Sequence, residues 1–341
     1  MQLTTLLMTA VNAVVPIILM IALGYFLRQK GMLSDAFLQN GNKLVFKIAL
    51  PSMLFVNVYS IESLSDVRWD IVLYASGAIC VIFGLGLVSA IFTTPVPERR
   101  GVVLQCTFRS NFAIIGMPLA ASLGGAAGEA VAALLSAVTI PVFNILAVLS
   151  LSMFVAPDGS HKISMSRIAR DVVKNPLIQG VALGIVCLVI RLAQVELFGK
   201  VVFALNRELK FLYTVLTYLK AITTPLALLV LGGQFVFSAV KELRKEIIVS
   251  VCWRLLIAPL IGIGGAYLMS RLGVLRCGPA EYPALVALFA SPVAVSSAIM
   301  ASQMKNDEQL GTQLVVWTSL CSALSIFVIV CLLMAFGLIA A

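Results

Sequence analysis

The chain is poor in charge. Of its 341 residues only 11% are Asp, Glu, Lys or Arg, 61% are hydrophobic, and the mean hydropathy is +1.06. A soluble domain carries about 25% charge, so the composition excludes one and reads as an integral membrane protein. Histidine occurs once, as His161, and neither H-E-x-x-H nor G-x-S-x-G is present. The common zinc-protease and serine-hydrolase readings fall away with them, and no enzyme is expected. Seven cysteines show no C-x-x-C spacing and all but Cys277 sit in apolar runs, so they read as small packing residues rather than as a metal site or a disulfide framework. No metal or cofactor is expected. Ten-residue segments of alternating polarity, the mark of an outer-membrane barrel, are also missing.

What is present is a series of long apolar runs, roughly 10–27, 41–58, 70–94, 101–124, 130–156, 175–193, 213–238, 246–270, 283–303 and 312–339. About 20 apolar residues span a bilayer core, so the runs predict ten transmembrane helices. No cation precedes Arg28 and no small-x-small site follows the first run, which favours a retained helix over a removed signal peptide. The longest polar break divides the chain into 1–156, a linker 157–174, and 175–341. Five spans on each side force the halves into inverted topology. Pro51 and Pro118 are 67 positions apart, as are Pro225 and Pro292, which supports a repeat.

The net charge of +9 lies in loops and follows the positive-inside rule, so it implies no nucleic acid. With the N-terminus outside, inner loops hold thirteen cations against eight in outer loops, among them Lys220. The expected topology therefore has both termini outside a cell (inner or plasma) membrane and a cytoplasmic linker. Charges and apolar residues over 194–212 alternate at helical spacing and predict a helix lying at the interface.

Acidic residues are absent from the middle of every run, whereas Lys47, Arg109 and Arg254 lie within theirs. Such a cation costs at least about 2.5–3.5 kcal/mol at mid-helix. Three cations without a carboxylate point to an anionic visitor. Lys47 could alternatively snorkel to the inner face, and Arg254 could serve helix packing. Arg109 reads equally as a bidentate countercharge for a carboxylate and as a pin for loose carbonyls.

Two runs are interrupted: Asn111-Phe-Ala-Ile-Ile-Gly116-Met-Pro118 and Ala287-Leu-Phe-Ala-Ser291-Pro292-Val-Ala-Val-Ser296-Ser297. Proline removes a backbone donor and clashes with the preceding turn, and a helix in lipid can break only where the freed groups face protein or water. Paired interruptions in two halves indicate a secondary transporter's binding site. Proline suits the first helical position and Ser the N-cap, so half-helices are expected to start at Met117-Pro118 and at Ser291-Pro292. Their opposed N-termini would form an anion site, the other reading being a pair of ordinary proline kinks. Asn111, Ser296, Ser297 and Asn144 would add side-chain contacts, each reading equally as a polar bond between packed helices.

These stretches resemble the auxin efflux carrier family, which includes plant PIN-FORMED proteins and bacterial organic-acid permeases. The first helix of that family is similar to Pro16-Ile-Ile-Leu-Met-Ile-Ala-Leu-Gly24-Tyr25, and its second to Asn42-Lys-Leu-Val-Phe-Lys-Ile-Ala-Leu-Pro51-Ser-Met-Leu-Phe55. The crossover N-x-x-x-x-G-x-P is matched by Asn111, Gly116 and Pro118, while Arg254-Leu-Leu-Ile-Ala-Pro259 and Ala290-Ser-Pro292 resemble its eighth and ninth helices. The resemblance implies an all-α, five-plus-five inverted fold of the bile-acid-symporter and sodium/proton-antiporter type, with spans 4 and 9 broken and crossed. Spans 1, 2, 6 and 7 would form a scaffold, and the others a mobile elevator unit. Asn111, Gly116, Pro118 and Pro292 would lie at the substrate site. The short linker looks bacterial, and Val293 stands where plant members resemble Gln, so a small acid such as malate or malonate is expected. Sodium-coupled symport and export of an auxin-like aromatic acid are the alternatives. The expected partners are a small organic anion and the bilayer, with a homodimer compatible.

Overall fold

The computed structural model describes residues 2–61, 68–155, 170 and 172–339, the first thirteen of these by backbone alone. Most of the linker, His161 included, lies outside the described residues. All named elements among them are helical. Helix α1 covers Gln2–Gln29. Helix α2, Asp35–Leu44, starts where the Ser34 hydroxyl accepts from Phe37 N. It passes through a π turn, Val45–Ala49, into α3, Leu50–Tyr59. Helices α4, Trp69–Thr93, and α5, Pro97–Phe108, follow. A π turn at Phe112–Gly116 then leads into α6, Met117–Ser152, which is interrupted at Gly125 with φ 58° and ψ −153°. Glycine tolerates that geometry because it has no Cβ.

Helix α7, Pro176–Phe198, begins with Asn175 as side-chain cap and proline in its first turn, and ends at left-handed Gly199. After the single turn α8, Leu205–Glu208, come α9, Lys210–Gln234, and α10, Ala239–Cys252. Two π turns, Trp253–Ile257 and Leu260–Gly264, join α10 to α11, Gly265–Arg271. The last helices are α12, Glu281–Ala290, α13, Ser296–Gln303, and α14, Glu308–Ala335.

Three of the π turns share one cause. They end two residues before Pro51, Pro118 and Pro259, and each is closed by a bond from residue i to carbonyl i−5: Leu50 to Val45, Met117 to Phe112 and Ala258 to Trp253. A proline ring collides with the carbonyl four residues back. Widening the preceding turn moves that carbonyl aside and keeps the helix continuous. Pro118 is therefore absorbed into a helix and starts none.

Six helical stretches among the described residues are long and apolar enough to cross a membrane: Trp69–Thr93, Phe112–Ser152, Pro176–Phe198, Lys210–Gln234, Ala239–Arg271 and Glu308–Ala335. The molecule is a multi-pass helical membrane protein. Helix α3 packs on α7 and α9, and α1 on α9 and α14, while α12 lies against α6. Every residue from Tyr282 to Ala290 is buried, so α12 sits inside the bundle. At one end Arg99 in the first turn of α5 pairs with Asp307 at 2.9 Å, Glu246 at 3.6 Å and Glu242, joining α5 to α10 and α14.

The interfacial helix expected over 194–212 does not form. Its first residues end α7, and Gly199 turns the chain. The Gln194 side-chain oxygen Oε1 then accepts from Val202 N at 3.0 Å and Phe203 N at 2.6 Å, and Tyr59 Oη accepts from Leu205 N at 2.7 Å. These bonds satisfy the backbone locally, in place of a helix ladder.

Candidate functional site

Two helices stop inside the bundle. Helix α5 ends at Phe108, after which Arg109 is extended (φ −80°, ψ 111°). Helix α12 ends at Ala290, after which Ser291 is extended (φ −64°, ψ 148°). The two segments cross as an isolated antiparallel bridge between Ser110 and Val293, with Asn111 N donating to Pro292 O at 2.8 Å. The helices resume at Phe112 and at Ser296. The crossed interruption is thus present, but the restarts differ from those expected at Met117-Pro118 and Ser291-Pro292. Ser291 does not cap a new helix, because its hydroxyl donates back to Ala287 O at 2.6 Å. Pro292 lies in the extended crossing.

The severed ends converge on one guanidinium. Fully buried Arg254 donates through Nη1 to Phe108 O at 3.0 Å and Thr107 O at 3.4 Å. Through Nη2 it donates to Leu288 O at 3.4 Å and to Phe289 O. Both helix C-termini carry partial negative charge, and the planar fork serves both at once. Arg254 is engaged by the fold itself.

Arg109 is placed differently. It is 4% exposed, and Nη2 donates to Asn144 Oδ1 at 3.0 Å and Ser296 Oγ at 2.9 Å. With the Gln105 amide turned to satisfy both neighbours, Gln105 accepts from Nη1 at 2.9 Å and donates to Ser297 O at 3.2 Å. Nη1 also lies against Met300 Sδ. Among the described residues no carboxylate pairs with Arg109.

Beside it is a recess of ≈ 60 Å³ whose wall includes Arg109, Asn111, Asn144, Ser296, Asn57 and Thr223. Asn111 is 3% exposed and its Nδ2 has no partner. Phe112, Ala113 and Ile114, the first residues of the resumed helix, also line it. Opening N–H groups of a helix lack intrahelical acceptors. The recess therefore presents a cation, a free amide donor and a helix start, with no acid among the described residues of its lining. Such a set of donors can accept a negatively charged group.

A second cavity of ≈ 730 Å³ adjoins it and shares Met53, Asn57 and Thr224 in its wall. Lys220 lines this larger space.

The structure brings Arg109, Asn111 and Ser296 together at the recess. Ser297 is next to it, buried, with a hydroxyl that has no partner. Gly116 is a contact point of the crossing, since a Cβ there would meet Ala287 O at 2.7 Å. Pro118, Ser291 and Pro292 line neither cavity, and Lys47 is exposed on its π turn and lines neither. Gln105, Asn57, Thr223 and Lys220 were not anticipated. Lys220 carries a visible signal, being charged inside the run 213–238, although the charge count over loops places it outside.

Residues 9–330 match the profile of the family described as "Membrane transport protein". The chain is also similar to a protein of Methanothermobacter thermautotrophicus (strain Delta H) described as an uncharacterized transporter, with 24% identity over 326 residues, covering 94% of this chain and 97% of the relative.

Proposed function

Since this chain belongs to the membrane transport protein family, the family of the auxin efflux carriers, we propose that it carries small organic carboxylates, such as malate or malonate, through the crossing of its two interrupted helices. The observation that carries this reading is Arg109, a buried guanidinium with no carboxylate partner among the described residues, beside the unpartnered Nδ2 of Asn111. A substrate carboxylate would accept from both, and from the helix start at Phe112. The ≈ 60 Å³ recess suits a carboxylate better than an aromatic ring.

In this reading the chain has ten spans in two inverted five-helix repeats, 1–156 and 175–341, joined by a cytoplasmic linker 157–174. Both termini lie outside a cell membrane. The packing of α3 on α7 and α9, and of α1 on α9, supports a scaffold. The remaining helices, joined through the crossing and Arg254, would move as one elevator unit. Each negative charge carried then responds to the membrane potential by about 2.3 kcal/mol per 100 mV.

The test is counterflow of labelled malate and malonate in proteoliposomes. Wild-type protein exchanges label, whereas Arg109→Ala, with unchanged elution and melting, does not. Full exchange by Arg109→Ala overturns the assignment of the site. Repeating the assay with sodium replaced by choline decides whether sodium is coupled.

A further inference from the structure

Lys220 is the eleventh residue of α9, Lys210–Gln234, a helix apolar enough to cross a membrane. At about 1.5 Å per residue it stands roughly 15 Å into that helix. It is half-buried and lines the ≈ 730 Å³ cavity. Among the described residues it forms no ion pair and no hydrogen bond, and no Asp or Glu belongs to the cavity wall. An unpaired ammonium inside a span is energetically unfavourable unless water or a ligand receives it.

Its position relative to Arg109 gives that charge a direction. Thr224, one turn further along α9, belongs to the walls of both cavities, and so do Asn57 and Ile114. Arg109 lines the small recess and Lys220 the larger space. Two cations thus line two spaces that share a wall. The wall common to both spaces holds short polar groups (Asn57 and Thr224) and aliphatic carbon (Met53, Ile140).

We infer that Lys220 reads a second carboxylate: with one carboxylate at Arg109, the distal charge of a dianionic acid reaches the Lys220 ammonium. This inference rests on the carrier reading above and adds to it a specificity-determining residue. A monocarboxylate places carbon where the second charge belongs and leaves the ammonium unpaired, so Lys220 selects dianions by charge and not by shape. Lysine suits this task because it is a mobile point charge on a flexible stem, able to follow acids of different length.

The experiment compares malate with 2-hydroxybutyrate, which carries a methyl group in place of the distal carboxylate, in the same proteoliposome assay. Wild type is expected to prefer malate. Lys220→Gln should lower malate transport efficiency about tenfold, chiefly through KM, and leave 2-hydroxybutyrate unchanged, the loss of one charged hydrogen bond. Lys220→Arg should restore most of the malate preference. Equal loss for both acids, or loss for neither, overturns the inference while the carrier reading stands. A wild-type protein that moves only 2-hydroxybutyrate also overturns it. Failure of the wild type to move either acid removes the carrier reading as well.

Discussion

The main-chain nitrogen of Asn111 donates to the carbonyl of Pro292 across 2.8 Å. That bond joins two extended segments from opposite halves of the chain inside an apolar bundle. Each segment follows a helix whose last carbonyls have lost their ladder partners. Those carbonyls need a donor, and the crossing itself offers only one bridge. Arg254 supplies donors to four of them, the carbonyls of Thr107, Phe108, Leu288 and Phe289.

Arg254→Gln is expected to destabilise the protein severely. A neutral amide can serve only one of the two helix ends, leaving buried carbonyls of Thr107 and Phe108 or of Leu288 and Phe289 unsatisfied. Each orphaned buried group costs about 1–3 kcal/mol, so a loss of about 3 kcal/mol or more is expected. Thermal unfolding in detergent measures it. Arg254→Lys should recover little, since an ammonium lacks the planar fork. A melting temperature equal to wild type in either variant would show that the helix ends do not depend on this residue.

Asn111→Asp places a carboxylate beside Arg109, in a recess that has no acid among the described residues of its wall. The new side chain is nearly isosteric and should pair with the guanidinium in place of a substrate. Malate binding should weaken by about a hundredfold, an amount consistent with losing a charged pair and gaining repulsion. Isothermal titration checks it, and the unliganded variant should melt no lower than wild type. Undiminished malate affinity would move the anion site away from Asn111.

The ion pairs of Arg99 should differ in weight. Glu246 is 6% exposed at its side chain and Glu242 is 69% exposed. Removing the cation with Arg99→Gln leaves the buried Glu246 unpaired and should cost about 3 kcal/mol. Glu242→Gln removes a solvent-screened partner and should cost no more than about 0.5 kcal/mol. Melting of the two variants side by side tests the ranking, and a larger loss for Glu242→Gln would reverse it.

The residues themselves determined a good deal. Low charge and long apolar runs require helices in lipid, because an isolated strand there leaves its backbone unpaired. The stretches around Asn111 and Ser291 announced two interrupted helices, and the acid-free runs with Arg109 inside pointed to an anion. Local chemistry also set the caps at Ser34, Asn175 and Asp307, each accepting a backbone N–H near its own helix start.

Where the interruptions fall was decided only by the tertiary structure. Proline forbids one bond and crowds one carbonyl, and a π turn removes that conflict without ending the helix, as happens before Pro118. A helix breaks instead where its freed carbonyls meet donors, and those come from Arg254, distant in sequence from Phe108. The same holds for cations: Lys220 looks like a loop residue until α9 carries it into a cavity wall, and Lys47 looks internal until its π turn leaves it exposed. Burial and hydrogen-bond partners belong to the packed chain, because they depend on which segments meet.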